Sequence, residues 1–183
     1  TDGTLKWLKG LVKENANYEL IENKENLGFA KGCNQGIEAS TGEYIILLNN
    51  DVVVTPQWLS GMLEHLKSSK DIGIVGPMTN NISGFQKVVS ADYELKDLDS
   101  YAKSFHEQNR YRRVFVRRVV GFCMLFNRDL IEKVGLLDEQ FGSGNFEDDD
   151  LCLRAALEGY KNVIAGDVFI HHFGSQSFKG NKI

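Results

Sequence analysis

No stretch of the 183-residue sequence approaches the roughly 20 consecutive apolar residues that a membrane-crossing helix needs. Its first residues do not show the charged, apolar and small-residue succession of a secretory leader, so a soluble chain is expected. Cysteine is scarce. Cys33, Cys123 and Cys152 are odd in number, far apart and set among apolar residues, without the close pairing of a zinc site. Buried thiols in a reducing compartment are expected. There is no internal repeat and no low-complexity segment. Neither sign of charge dominates: a net charge of -4 argues against a nucleic-acid-binding surface over the whole molecule, and no nucleic-acid partner is expected. What is present, 42% hydrophobic and 25% charged residues, is ordinary for one globular domain with a real core.

Leu5, Leu8, Leu11 and Val12 recur at three- and four-residue intervals and predict an amphipathic helix, with Thr1, Asp2 or Thr4 as its cap. A short strand is expected around Leu20 and Ile21. Gly28 then opens a loop into a helix over residues 30–39, which Gly42 would close in a left-handed conformation. YIILLNND has few polar residues before Asn49, which suits a parallel strand covered by helices on both faces. Pro56 fits the first turn of a helix with Trp58, Leu59, Met62, Leu63 and Leu66 along one side, and IGIVGPMT is a further strand. This alternation predicts an α/β sheet with parallel strands.

Residues 80–113 are polar and weakly periodic, with a helix expected near LKDLDSYAKSFHEQ. Next come strand material in VFVRRVVGFCMLF, a short helix between Asn127 and Gly135, and the glycine-bearing loop LDEQFGSGNF. EDDDLCLRAALEGY reads as a helix with an acidic start, and KNVIAGDVFIHHFGSQSF as one or two strands ending in paired histidines.

Three polar clusters sit at the ends of apolar strands or the starts of helices: Asn49, Asn50 and Asp51; Glu147, Asp148, Asp149 and Asp150; and His171 with His172. In open α/β sheets ligands bind at the carboxyl ends of strands. Each cluster also has a plain structural explanation. Asn and Asp make turns, acids complement a helix N-terminus, and a histidine pair ending a strand can put one ring in the core and one in solvent. Four consecutive acids nevertheless repel one another, and a cation or a proton should answer part of that charge. Taken together, the clusters offer a carboxylate and an imidazole to a divalent ion, magnesium or manganese in oxygen-rich surroundings. Such an ion binds diphosphate and lends charge to a departing nucleotide. A carboxylate left off the metal could take a proton from an attacking hydroxyl.

The blocks NLGFAKGCNQGIEASTGEYIILLNNDVVVTPQWL, VGFCMLFNRDLIEKVGLLDEQF, FEDDDLCLRAALEGY and IHHFGSQSF, in this order and spacing, resemble the family 2 glycosyltransferases of GT-A fold over nearly the whole chain. TDGT resembles the tail of that family's D-N-x-S-x-D-G-T segment, which follows its second strand. The resemblance thus implies an N-terminally truncated fragment of a longer enzyme, whose activity by itself does not follow from it. Its fold would be α/β, the Rossmann-like nucleotide-diphospho-sugar transferase type, with a mostly parallel sheet flanked by helices and lacking the first two strands. Residues 1–183 would be a single partial catalytic domain, 1–79 the remainder of the nucleotide-sugar-binding half and 80–183 the acceptor and catalytic half.

The resemblance also implies roles. Asp51 matches the last acid of the family's D-x-D motif and would hold the metal. Asn49 replaces the first acid, leaving the site one charge poorer, and Asn50 would lie near the donor's ribose or sugar. Asp148 matches the general base, with Glu147 beside it orienting the acceptor. Asp150, on the acceptor side, and Arg154 would fix the geometry of that helix. His172, a short distance before Ser177, is the first choice for the histidine metal ligand, and His171 the second; adjacent strand residues face opposite ways, so one of them should enter the site. Gly28, Lys31 and Asn34 would pass near the nucleotide, where a cation suits a diphosphate. Gly121, lacking a side chain, would let the acceptor sugar approach.

The implied activity is metal-assisted, inverting transfer from a UDP-, GDP- or dTDP-sugar to a glycan or lipid-linked acceptor in polysaccharide or cell-surface glycan synthesis, in the cytoplasm or at the cytoplasmic face of the membrane. Peripheral membrane association of the full-length protein and self-association through an exposed sheet edge are further expectations. The basic run RYRRVFVRR, residues 110–118, reads as a solvated strand or as a surface for an anionic acceptor or acidic lipid headgroups. Two other readings fit the same clusters: another metal-dependent nucleotide enzyme, such as a nucleotidyltransferase that releases pyrophosphate, and a non-catalytic degenerate module that keeps the fold.

Overall fold

The computed structural model describes residues 2–142 and 145–174; Thr1 and Ser177 lie outside the described residues. Helix α1 (Thr4–Glu14) forms where the leucine spacing predicts it, and the Asp2 carboxylate accepts a hydrogen bond from the Thr4 amide at 3.0 Å. None of its residues is buried. The strand expected near Leu20 and Ile21 does not form: residues 15–28 hold neither helix nor strand, and Ile21 stays 41% exposed. Two apolar residues without a partner edge gain too little to order a strand.

Helix α2 (Phe29–Ala39) ends at Ser40, whose φ of -76° and ψ of 150° are extended, so Gly42 does not close it in a left-handed turn. A cation does the work instead. Arg128 donates to the Ser40 carbonyl at 2.9 Å and to the Gly42 carbonyl at 2.9 Å, satisfying carbonyls just past the helix.

The remaining elements are strand β1 (Tyr44–Leu48), β2 (Val52–Val53), helix α3 (Trp58–Lys67), β3 (Ile72–Thr79), α4 (Leu98–Asn109), β4 (Arg113–Val116), β5 (Cys123–Asn127), α5 (Arg128–Val134), α6 (Glu147–Leu157) and β6 (Lys161–His172). They build one α/β sheet flanked by helices, in the order β1-β5-β3-β6-β2, with β4 also on β6. The expectation of a mostly parallel sheet fails. Only β3 and β6 pair in parallel; β5 is antiparallel to β1 and β3, and β4 and β2 are antiparallel to β6. Strands β1 and β3 do run the same way, but β5 returns from the long excursion after β3 and inserts between them. The two halves drawn from the sequence therefore interleave in a single sheet, and β1 stands at its end with one edge unpaired among the described strands.

Alternation along β5 shows why its residues are apolar throughout. Met124 and Phe126 pack with Ile45, Leu47 and Ile74 under α2, α5 and α6, whereas Cys123 and Leu125 pack with Val75, Val163 and Ile170 under α3. A third cluster joins Leu98 and Ala102 of α4 to Phe169. Strand β6, buried over most of its length, is the spine of the sheet. Its register against β3 jumps after the pair Pro77–Ala165 and resumes at Met78–Phe169, so residues 166–168 arch out of the ladder. Pro77 has no N–H to offer, which places the interruption there. In the arch, Asp167 accepts from the Tyr111 amide at 2.9 Å and meets His65 Nε2 at 2.6 Å.

Candidate functional site

After β1 the chain turns at Asn50 and Asp51 and pairs β2 with the end of β6, Val52 opposite His172 and Val53 opposite His171. The Phe173 amide donates to the Asp51 carbonyl at 2.9 Å. The turn reading of LLNND therefore holds, and the turn brings Asp51 to the histidine strand.

Asp51 Oδ1 and His172 Nε2 lie 3.2 Å apart, and among the described residues neither atom has a hydrogen-bond partner although both are buried. His172 Nδ1 is 2.7 Å from the Asn81 carbonyl oxygen, which can only accept, so Nδ1 carries a proton, and in the neutral form of the ring Nε2 turns its lone pair toward the carboxylate. A lone pair facing a carboxylate oxygen calls for a positive charge between them. A metal-binding histidine uses this tautomer, with its other ring nitrogen donating to a carbonyl oxygen. The donor set fits a divalent ion. Among the described residues no third His, Cys, Asp or Glu joins the pair, which suits an ion that completes its shell with water and phosphate oxygens.

His171 faces the opposite way, as strand alternation requires. Its Nδ1 lies 2.6 Å from the Tyr93 hydroxyl and its ring meets Phe173 edge-on, so the fold does not bring it to Asp51. Burial, and then the neighbouring His172, hold its pKa below the ordinary imidazole value.

Asp148 and Glu147, in the first turn of α6, are buried. Asp148 Oδ2 accepts from the Gly121 amide at 2.8 Å and Oδ1 from the Asp149 amide at 2.9 Å. A Cβ at Gly121 would stand 3.3 Å from Asp148 Cβ, so the absent side chain makes room for Asp148. Glu147 Oε2 is buried and has no hydrogen-bond partner among the described residues. Burial raises the Glu147 pKa, and the charges of Asp148 and Asp149 push it the same way. Burial also raises that of Asp149, opposed by Arg118, whose Nε lies 3.0 Å away. Asp150 turns from the site to Arg154, 2.7 Å away, and Arg154 reaches the carbonyls of Val134 and Leu136 past the end of α5. Its expected place on the acceptor side gives way to its other expected role, fixing the helix.

Near the start of α2, Gly28 (φ 83°) and Lys31 line a shallow hollow with Asn26, Leu27, Glu139 and Gly142. Asn34 does not join them. Its amide donates to the Leu137 carbonyl at 2.9 Å and its oxygen accepts from the Leu137 amide at 3.0 Å, so both ends tie α2 to the loop before α6. Cys33, in the same helix, is pushed up to about 11 by burial and by Glu147, and its thiol stays protonated.

Sequence reasoning missed Asn80, Asn81 and Phe122. The Asn80 side chain accepts from the His172 amide at 2.8 Å, and the Phe122 ring stacks on His172 with centroids 4.9 Å apart. The Phe122 carbonyl accepts from the Asn49 amide at 2.9 Å. Gly121 and Phe122 thus link Asp148 on one side to Asn49 and His172 on the other. The signal was the second asparagine pair, TNN at the end of β3, in the same place as NN at the end of β1.

A family model described as glycosyl transferase family 2 matches residues 1–135. An uncharacterised protein of Sinorhizobium fredii is 25% identical over 182 residues, 95% of this chain and 20% of that protein. A poly-beta-1,6-N-acetyl-D-glucosamine synthase of Staphylococcus aureus is 25% identical over 158 residues, 82% of this chain and 35% of the synthase. Among solved structures, the mannosyltransferase PcManGT from Pyrobaculum calidifontis, in complex with GDP-Man and Mn2+, shares the fold with a TM-score of 0.66 at 18% identity, over 98% of this chain and 48% of that one. The chain therefore spans between a fifth and about half of the length of these proteins.

Proposed function

The chain belongs to glycosyl transferase family 2, and from that membership we propose that it carries the catalytic centre of an inverting, metal-assisted transferase that moves a sugar from a nucleoside-diphosphate donor to an acceptor hydroxyl. The observation that carries the metal part is the unpartnered pair Asp51 Oδ1 and His172 Nε2, 3.2 Å apart, in the tautomer fixed by Asn81. Asp51 lies within the residues the family model matches, whereas Glu147, Asp148 and His172 lie beyond them, so their roles rest on geometry. The manganese and GDP-mannose bound by the solved relative support a divalent ion and a sugar nucleotide here as well.

Asp51 and His172 would hold the ion, which when bound supplies positive charge to the leaving diphosphate. Asp148 takes the proton of the acceptor hydroxyl, and its two main-chain N–H donors keep the carboxylate fixed while it does so. Glu147, with one buried oxygen unpartnered, is free to bind an acceptor hydroxyl. Asn49 and Asn50 border the donor, and Lys31 beside Gly28 offers a cation to its phosphates. We extend the proposal to a glycan or lipid-linked acceptor in polysaccharide synthesis; the staphylococcal relative, a poly-beta-1,6-N-acetyl-D-glucosamine synthase, supports the polysaccharide part. The reading is tested by incubating the chain with UDP-, GDP- and dTDP-sugars and Mn2+. Release of nucleoside diphosphate is expected; release of pyrophosphate would make it a nucleotidyltransferase, and an absence of nucleotide binding would leave a degenerate module.

A further inference from the structure

On a chain of net charge -4, residues 110–118 carry five arginines and no acid. Arg118 is answered by Asp149 at 3.0 Å. Arg110, Arg112, Arg113 and Arg117 are exposed, and among the described residues none has a carboxylate within ion-pair distance. The segment runs into β4, a strand bonded on one side only, to β6. Along β4 the side chains alternate: Val114 and Val116 are half-buried, while Arg113 and Phe115 point outward, with Phe115 57% exposed. Tyr111 is 65% exposed.

A solvated strand explains the arginines but not the two uncovered rings among them. Each ring already has a cation on one face, Arg110 over Tyr111 at 4.9 Å and Lys161 over Phe115 at 5.6 Å. A cation seated on an exposed aromatic ring is a pairing that suits the level of lipid headgroups, where the ring dips toward the acyl chains and the charge meets phosphate. Lys161 adds little net charge, because Asp71 lies 2.5 Å from it.

We propose that the outer face of β4 and the residues leading into it form a docking surface for an acidic lipid membrane. The chain then sits peripherally, since no helix among the described residues is long and apolar enough to cross a bilayer. This surface does not depend on the transfer reading of the Asp51–His172 site.

The test is co-sedimentation with phosphatidylcholine vesicles, with and without about 30% phosphatidylserine. Binding is expected only with phosphatidylserine, and it should fall away as NaCl rises from about 50 to about 500 mM. Each arginine near an anionic surface contributes roughly fivefold in partitioning, so the triple variant R110Q/R113Q/R117Q should bind on the order of a hundredfold more weakly. F115S should weaken binding while leaving its dependence on salt in place. These side chains are on the surface, and an unchanged circular dichroism spectrum checks that the variants fold. The proposal fails if acidic vesicles do not bind the chain at low salt, if the triple variant binds like the parent, or if single-stranded RNA or heparin binds the same arginines more tightly than the vesicles do.

Discussion

Replacing Asp148 with Asn removes a charge and keeps the size, yet the structure says it is not a silent change for folding. Both carboxylate oxygens accept main-chain hydrogen bonds, from Gly121 at 2.8 Å and Asp149 at 2.9 Å. A carboxamide has one acceptor oxygen, so its NH2 must face one of those N–H donors. One hydrogen bond is lost and a buried donor is left without a partner, a cost of about 1–3 kcal/mol. Losing a negative charge in the first turn of α6 costs about 0.3–1 kcal/mol against the helix dipole, and relief of its repulsion with Glu147 and Asp149 offsets that. For a chain of this size the hydrogen-bond loss lowers the melting midpoint by roughly 2–12 °C. If Asp148 is also the base, turnover should fall by about 10²–10⁴-fold with donor binding nearly unchanged. Calorimetric melting, and nucleoside diphosphate release measured well below the variant's midpoint, separate the two effects. An unchanged midpoint would refute the hydrogen-bond argument, and full turnover would refute the base.

His172→Ala should abolish Mn2+ binding in a calorimetric titration and His171→Ala should preserve it; equal losses would mean that the pairing with Asp51 does not mark the metal site. Asp167→Asn should destabilise the fold by about 1–3 kcal/mol, because it disrupts buried hydrogen bonds to His65 and the Tyr111 amide. Burial pushes the Asp167 pKa up, but the hydrogen bonds of His65 and the Tyr111 amide, together with the charge of His65, outweigh it and hold it below the ordinary carboxylate value. The stability that this depressed value contributes is present above the unfolded pKa of about 3.9 and is lost as pH falls through the folded one. Acid titration of stability should show that limb in the parent and a flatter one in the variant.

The elements could be read locally because their signals are local. Asn127 caps α5 through the Leu130 amide at 3.0 Å, and Gly135 closes that helix at φ 84°, both as their residue types predict. Helix α4 and strand β3 likewise follow from periodicity and an apolar run. The sheet order could not be read this way, since an apolar strand covered on both faces looks the same whichever neighbour it pairs with. Asn34 shows the same limit at the site: an amide near a glycine loop has the chemistry for a nucleotide, and only the loop at Leu137 reveals that its hydrogen bonds are already used.

The sequence by itself determined which side chains could do chemistry here. Asp51, Asp148 and His172 stand where strands end and a helix begins, because polar groups in such places are exposed to a ligand or must be satisfied by one. Tertiary structure decided which of them meet. The short pairing of β2 with β6 sets His172, and not His171, against Asp51, since strand alternation sends neighbouring side chains to opposite faces. The insertion of β5 between β1 and β3 sets Gly121 under Asp148 and Phe122 against His172, contacts between residues far apart in the chain that no local pattern encodes.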